Sequence, residues 1–203
     1  MKKELLIFGA YGALGRGITE VLTLKDYSKI FLFDTEIEDK WNKADNTENL
    51  KIKDLSIEQN VIDAFKKIEP KKDKIFFLYS TVGGFFGGKT LWETDAKDWD
   101  KVFNMNLKSN YLIAKHFSNI VKESAGGSIC FTAAYTGVMP EAKKAAYGAS
   151  KSALIHLVKT LALEGKEINL SVNAIAPNII DTTANRKWMQ DADFEGFNGV
   201  CFV

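Results

Sequence analysis

Tyr147 and Lys151 lie four residues apart in Tyr147-Gly148-Ala149-Ser150-Lys151, a spacing that sets a phenol and an ammonium on one helix face, within reach of one ligand. A free phenol titrates near pH ~10, and a neighbouring cation favours its ionised form. The pair therefore predicts proton exchange at Tyr147 near neutral pH. Tyr/Lys pairs at this spacing are common on solvated helix faces. This one gains meaning from the elements ahead of it.

Gly9-Ala10-Tyr11-Gly12-Ala13-Leu14-Gly15 follows a short apolar run and opens into helical spacing. Residues without a Cβ let a backbone pass close to a pyrophosphate, and amides at a helix start bind phosphate oxygens. Gly9, Tyr11, Gly12, Ala13, Leu14 and Gly15 are accordingly candidate cofactor contacts. A second apolar run ends in Asp34, at the distance where an acidic side chain accepts hydrogen bonds from an adenosine ribose. A carboxylate there repels a 2′-phosphate and no arginine adjoins it, which predicts NAD (NADH) in preference to NADP. Asp54 is a weaker candidate, for the adenine edge; Asp54 or Ser56 is nearly as well suited to cap a helix.

The elements that must carry these residues follow from periodicity. Apolar runs at residues 4–9, 29–34, 49–53, 74–80, 128–132 and 169–176 have the length of strands buried on both faces. Residues 12–25 place Leu14, Ile18, Val21 and Leu22 on one stripe, and 61–68 do the same with Val61, Ile62, Phe65 and Ile68. Two longer amphipathic helices are expected over 98–123 and 145–164. The alternation predicts an α/β fold of Rossmann type: a doubly wound parallel sheet of six strands, ordered 3-2-1-4-5-6, with helices on both faces. Its ligands should gather beyond the carboxyl ends of the strands. At 203 residues without internal repeats, one NAD(P)-binding domain over 1–203 is expected.

Composition narrows the partners. A formal charge of +1 with only Arg16 and Arg186 as arginines gives neither field nor fork for nucleic acid. No apolar run approaches the ~20 residues that span a bilayer, and the first one is too short for a signal-peptide core. Cys130 and Cys201 lack metal or disulfide spacing, so no metal is expected and a cytoplasmic setting fits. His116 and His156, with no acidic or cysteine partner at ligand spacing in the sequence, are assigned to structure. Trp92, Trp99 and Trp188 read as packing or lid residues, and Lys71-Lys72-Asp73-Lys74 as a solvated loop.

Over essentially its whole length the chain resembles the short-chain dehydrogenase/reductase family, through the glycine turn, a glycine motif after the fourth strand, Asn106 in a long helix, and Tyr147 with Lys151. The resemblance implies that Lys151 hydrogen-bonds the nicotinamide ribose, with Tyr147 beside the cofactor, that Asn106 supports a proton-relay water with the lysine, and that Val82, Gly83 and Gly84 border the cofactor. Asn173-Ala174-Ile175-Ala176-Pro177 with Thr182 looks like the segment that holds the nicotinamide carboxamide, although Asn178 stands where the family usually has glycine. Thirteen residues before Tyr147, where the family carries a carbonyl-polarising serine, this chain has Ala134. The dihydropteridine reductase branch shares that alanine. It is also resembled in Val82-Gly83-Gly84-Phe85-Phe86-Gly87-Gly88 and in Asn185-Arg186-Lys187-Trp188-Met189-Gln190-Asp191-Ala192-Asp193-Phe194. This branch assigns Phe85 to stacking on a pterin, with core or loop packing as the other reading. Asp191 and Asp193 are explained by this likeness rather than by acid–base work.

The expected function is an NADH-dependent reductase that passes hydride to a quinonoid dihydropteridine-like small molecule, with Tyr147 as proton donor. One alternative is an NAD-dependent alcohol or ketone oxidoreductase in which water or Thr136 replaces the serine. The other is a nucleotide-binding regulatory protein without turnover. A homodimer through the two long helices is implied by the family. The chain stops before the family's last helix and strand, so the sixth strand is expected to form an open sheet edge beside a partly unroofed pocket.

Overall fold

Glu4, Leu5, Leu6, Ile7 and Phe8 are buried in succession, which requires a strand covered on both sides. In β1 (Lys2–Phe8) the period of two sends Leu5 and Ile7 to one face and Leu6 and Phe8 to the other. The computed structural model describes residues 1–37, 45–188 and 200–202, without the side chains of residues 184, 188 and 200–202. Around β1 it builds a sheet from β2 (Lys29–Asp34), β3 (Thr47–Lys51), β4 (Lys74–Ser80), β5 (Gly126–Thr132), β6 (Leu170–Pro177) and β7 (Val200–Phe202). The order is β3-β2-β1-β4-β5-β6-β7. The first six strands are parallel, as the alternating sequence pattern requires.

The larger core lies under α2 (Glu58–Phe65), α4 (Ser109–Lys122) and α5 (Ala145–Glu164), where Phe8, Phe33, Phe76 and Phe131 meet Ile113, Phe117, Leu154 and Val158. Phe8 and Phe33 stack at 4.3 Å between ring centroids. On the opposite face α1 (Ala13–Leu22) brings Ile18 and Leu22 against Leu5, Ile7, Ile30 and Leu32. Successive parallel strands and two-sided burial bring the ends of β1, β2, β4, β5 and β6 to one edge, where the candidate residues begin.

Three expectations are corrected. The helix expected over 98–123 is α3 (Ala96–Phe103), a π-helical turn (Asn104–Lys108) and α4. There the Asn104 carbonyl accepts both the backbone N–H and the hydroxyl of Ser109, and the Asn110 side-chain amide donates to the Asn106 carbonyl, so side chains reinforce the wider turn. The expected open edge at β6 is instead paired at its carboxyl end, where Ile175–Pro177 meets the antiparallel β7. His116 does have an acidic partner, Glu58 of α2, at 3.1 Å, because the fold closes a distance of 58 residues. Residues 189–194, including Asp191 and Asp193, lie outside the described residues, as do the side chains of Trp188 and Cys201.

Candidate active site

The cleft begins at the end of β1. Gly9 has φ +78°, a conformation L side chains rarely adopt, and a Cβ there would lie 2.4 Å from the Thr81 hydroxyl. At Gly15, on the first turn of α1, a Cβ would lie 1.9 Å from the Gly9 carbonyl oxygen. The turn therefore closes only with glycine at both places. Thr81, directly after β4, fixes it by donating its hydroxyl to the Gly9 carbonyl at 2.8 Å. Asp34, at the end of β2, accepts the amides of Tyr11 and Thr35, each at 2.7 Å.

This half of the cleft measures about 800 Å³ and is lined by Gly9, Gly12, Asp34, Asp54, Val82 and Gly83 among others. Tyr11, Ala13 and Gly15 do not line it; Tyr11 is buried, with its hydroxyl on Asn49 at 2.5 Å, and shapes the turn from beneath. Asp54 bonds the Ser56 amide, and Ile57 precedes α2, so neither Asp54 nor Ser56 caps that helix. The close-approach turn, the start of α1 and a fixed carboxylate at the far end match the parts of a dinucleotide in order.

Gly83 and Thr81 also line a second cavity of about 280 Å³, so the two halves are continuous. Its walls include Leu14, Phe85, Ala134, Tyr147, Lys151 and Pro177. Lys151 is only 4% exposed and donates to the Thr132 carbonyl at 2.8 Å. Its ammonium is 5.9 Å from the Tyr147 ring centroid. The Phe85 ring, half exposed, meets the Tyr147 ring edge-on at 5.1 Å.

Asn106, in the π-helical turn, is fully buried. Its carboxamide accepts from the Gly84 amide at 2.8 Å and donates to the Gly84 carbonyl at 3.1 Å and the Ser150 hydroxyl at 3.0 Å. Ser150 in turn donates to the Tyr147 carbonyl at 2.8 Å. One turn on, Asn110 bonds Ser80, the Val82 carbonyl and the Asn106 carbonyl. The loop after β4 is thus tied to the helix that carries Tyr147.

Burial reverses the expected acidity of the phenol. Desolvation first, and then the Glu141 carboxylate, push Tyr147 up to about 12. Desolvation pushes Lys151 down to about 8. The cation expected to acidify the phenol is itself disfavoured by burial and engaged by Thr132. What results is a protonated phenol beside an amine that changes charge just above neutral pH, an arrangement able to donate a proton and to have it replaced.

Of the remaining candidates, Thr182 does not line the cavity; its hydroxyl accepts the Asn185 amide within the start of α6 (Thr183–Trp188). Thr136 lines the cavity, but its hydroxyl donates to Glu141. The sequence reading missed Glu141, Lys144, Ser150, Asn110 and Asn185. Ser150 lies inside the Tyr147–Lys151 motif and Asn110 one turn beyond Asn106, positions that could have drawn attention. Glu141 and Lys144 carry no such signal. Among the described residues no group of three or more His, Cys, Asp or Glu is arranged to hold a metal, and no helix is long and apolar enough to cross a membrane.

A family model described as short chain dehydrogenase matches residues 3–193. Dihydropteridine reductase of Dictyostelium discoideum is 29% identical over 205 residues, spanning 100% of this chain and 85% of that protein. An NAD-dependent glycerol dehydrogenase of Listeria innocua is 26% identical, over 91% of this chain and 73% of its own. Among solved structures, ElxO with NADP bound superposes with a TM-score of 0.77 at 23% identity, covering 94% of this chain and 79% of ElxO. A short chain dehydrogenase family protein from Francisella tularensis gives 0.79 at 22% identity, over 94% and 75%.

Proposed function

The chain belongs to the short-chain dehydrogenase family and is an NAD(P)H-dependent oxidoreductase of that kind; on that premise we propose that it reduces a quinonoid dihydropteridine-like substrate with NADH. The observation that carries this reading is the cavity wall itself. It combines Tyr147, the edge-on ring of Phe85 and the methyl of Ala134 where a polarising hydroxyl is expected. A substrate that is already electrophilic has little need of that hydroxyl, and a planar one packs against Phe85.

A dinucleotide bound in the cleft would supply the hydride. Gly9, Gly12 and the start of α1 would hold its pyrophosphate and Asp34 its adenosine ribose, with Asp54 at the adenine end. Val82, Gly83 and Pro177 bound the nicotinamide end, with Thr182 acting from the start of α6. Tyr147 holds the proton at its hydroxyl and delivers it to the substrate, while Lys151, fixed by Thr132, orients the nicotinamide ribose and replaces that proton. Asn106 supports the relay by holding Gly84, whose neighbour Gly83 lies against Lys151. Asp34 favours NADH; Lys53, Lys97 and Lys101 line the same half and are where a 2′-phosphate would find cations.

A single dinucleotide-binding domain over residues 1–203, a cytoplasmic setting and a homodimer through α4 and α5 belong to the same reading. Tyr111 on α4 and Leu163 on α5, both exposed and large, support the dimer. A second reading, an NAD-dependent alcohol or ketone oxidoreductase, draws on the Thr136 hydroxyl in the cavity wall and on the Listeria relative.

Initial rates with quinonoid dihydropterin against a panel of ketones and polyols separate the two. The pterin should be faster by about tenfold or more, and Tyr147→Phe should cost about 10²–10⁴ in kcat. A faster ketone or polyol selects the second reading. NADH binding without turnover of either class, and so no activity for Tyr147→Phe to change, leaves a nucleotide-binding protein without this catalysis, and tighter binding of NADPH than NADH removes the role of Asp34.

A further inference from the structure

Beside Phe85 the cavity carries a charged pair that the proposed reaction does not use. Glu141 lies in the loop before α5 and Lys144 directly precedes that helix; both line the cavity with Thr136, Tyr147 and Phe85. The Lys144 ammonium donates to Glu141 Oε2 at 2.6 Å, and the Thr136 hydroxyl donates to Oε1. Lys144 also stands 5.7 Å from the Phe85 ring centroid, so the pair sits against the aromatic wall. The Glu141 side chain keeps 39% of its exposure and that of Lys144 25%.

A carboxylate has about four lone-pair sites and an ammonium three donors. Glu141 uses one acceptor on Thr136 and one on Lys144, and Lys144 uses one donor on Glu141, so both retain capacity towards a ligand. Together they present a row of acceptor, acceptor and donor. The complementary edge is donor, donor, acceptor on one planar ring, which a 2-amino-4-oxopyrimidine supplies as its amino group, its ring N–H and its 4-oxo oxygen. A forked pair of N–H donors on a carboxylate is a strong, geometrically selective contact.

We infer that Glu141 and Lys144 form the specificity site for the 2-amino-4-oxopyrimidine edge of the substrate, Glu141 taking the two N–H groups and Lys144 the oxo group. The inference rests on the proposed pterin reduction and names the residues by which a pterin is told from other electrophilic rings. The bland role for the same pair is to brace the start of α5. That role predicts lost stability in its variants and no change in ligand choice.

The test titrates the protein, with NAD bound and near neutral pH, with pterin and with lumazine, which has an oxo oxygen in place of the 2-amino group. Wild type should hold pterin about tenfold more tightly than lumazine. Glu141→Gln should bring the two within about twofold, with NADH affinity still near that of wild type. Lys144→Met should weaken both ligands together, because both carry the 4-oxo oxygen, and leave their ratio unchanged. Equal binding of pterin and lumazine by wild type, which needs no variant to fold, overturns the inference; so does a ratio that survives Glu141→Gln. Turnover of quinonoid dihydropterin is scored separately. Turnover without discrimination removes this site but keeps the reaction, and discrimination without turnover keeps the site while removing the reaction.

Discussion

At the β1–α1 end of the cleft, shape is set by what is missing: side chains at Gly9 and Gly15 would collide with Thr81 and with the turn's own backbone. At the β5–α5 end, shape is set by what is present. Lys151, Asn106, Ser150 and Asn110 are buried polar groups that stay in place because each meets a partner across the fold. The first kind of construction is steric and fails at a single added carbon. The second is a matter of polar satisfaction and fails by degrees as partners are removed.

The strongest way to test this contrast is Gly15→Ala. Its Cβ would meet the Gly9 carbonyl oxygen at 1.9 Å and backbone atoms of Gly9 and Ala10 at 2.9 Å, which no side-chain rotation relieves. Thermal or denaturant unfolding should show a loss of about 3 kcal/mol, with NADH affinity falling about tenfold or more. Unchanged affinity would mean that the turn does not contact the cofactor.

Next comes the pH dependence of stability without ligand. Lys151 binds its proton less tightly in the native state, at about 8, than at its ordinary value of 10.5. Between those values the unfolded chain carries more protons, so stability rises with pH; below about 8 the cost of burying the charge is fully present. From pH 8 to 9.5 the gain should be about 2 kcal/mol, read as the difference from Lys151→Met, which lacks this titration. Parallel pH curves for the two proteins would contradict it.

The smallest effect is expected for Ser150→Ala. It removes one donor and one acceptor, but Asn106 keeps both of its bonds to Gly84. A loss of about 1 kcal/mol in stability, lower kcat and nearly unchanged NADH affinity would show that the two ends of the cleft fail independently. A loss of NADH affinity comparable with that of Gly15→Ala would erase the distinction.

The same contrast explains what was legible in the sequence. Two-sided burial leaves unbroken apolar runs, so β2 and β4 appear in the sequence with their observed ends; α5 does so too, although Ser150 and Lys151 interrupt the apolar side of the helix. Glycine spacing reveals the turn because steric exclusion acts on residue type. The break between α3 and α4 is hidden because Val102, Met105, Leu112 and Ile113 keep an apolar face through the π-helical turn. β7 has only three residues, too few to show a period. Tyr147 and Lys151 were visible as a pair, but their acidities depend on burial and on Thr132, which spacing does not contain. Glu141, Lys144 and Asn185 look like ordinary polar loop or surface residues until the fold gathers them in one cavity.

The bonding of Asn106 to both backbone groups of Gly84 has a further consequence. A carboxamide that answers the N–H and the C=O of one residue behaves like a single rung of a β-ladder and leaves that peptide little rotational freedom. Ordering a backbone residue costs about 1–2 kcal/mol, and here the cost is met when the chain folds rather than when a ligand arrives. Phe85, the next residue, therefore swings from a fixed pivot: the ring can adjust to a substrate while its point of attachment stays where folding has set it.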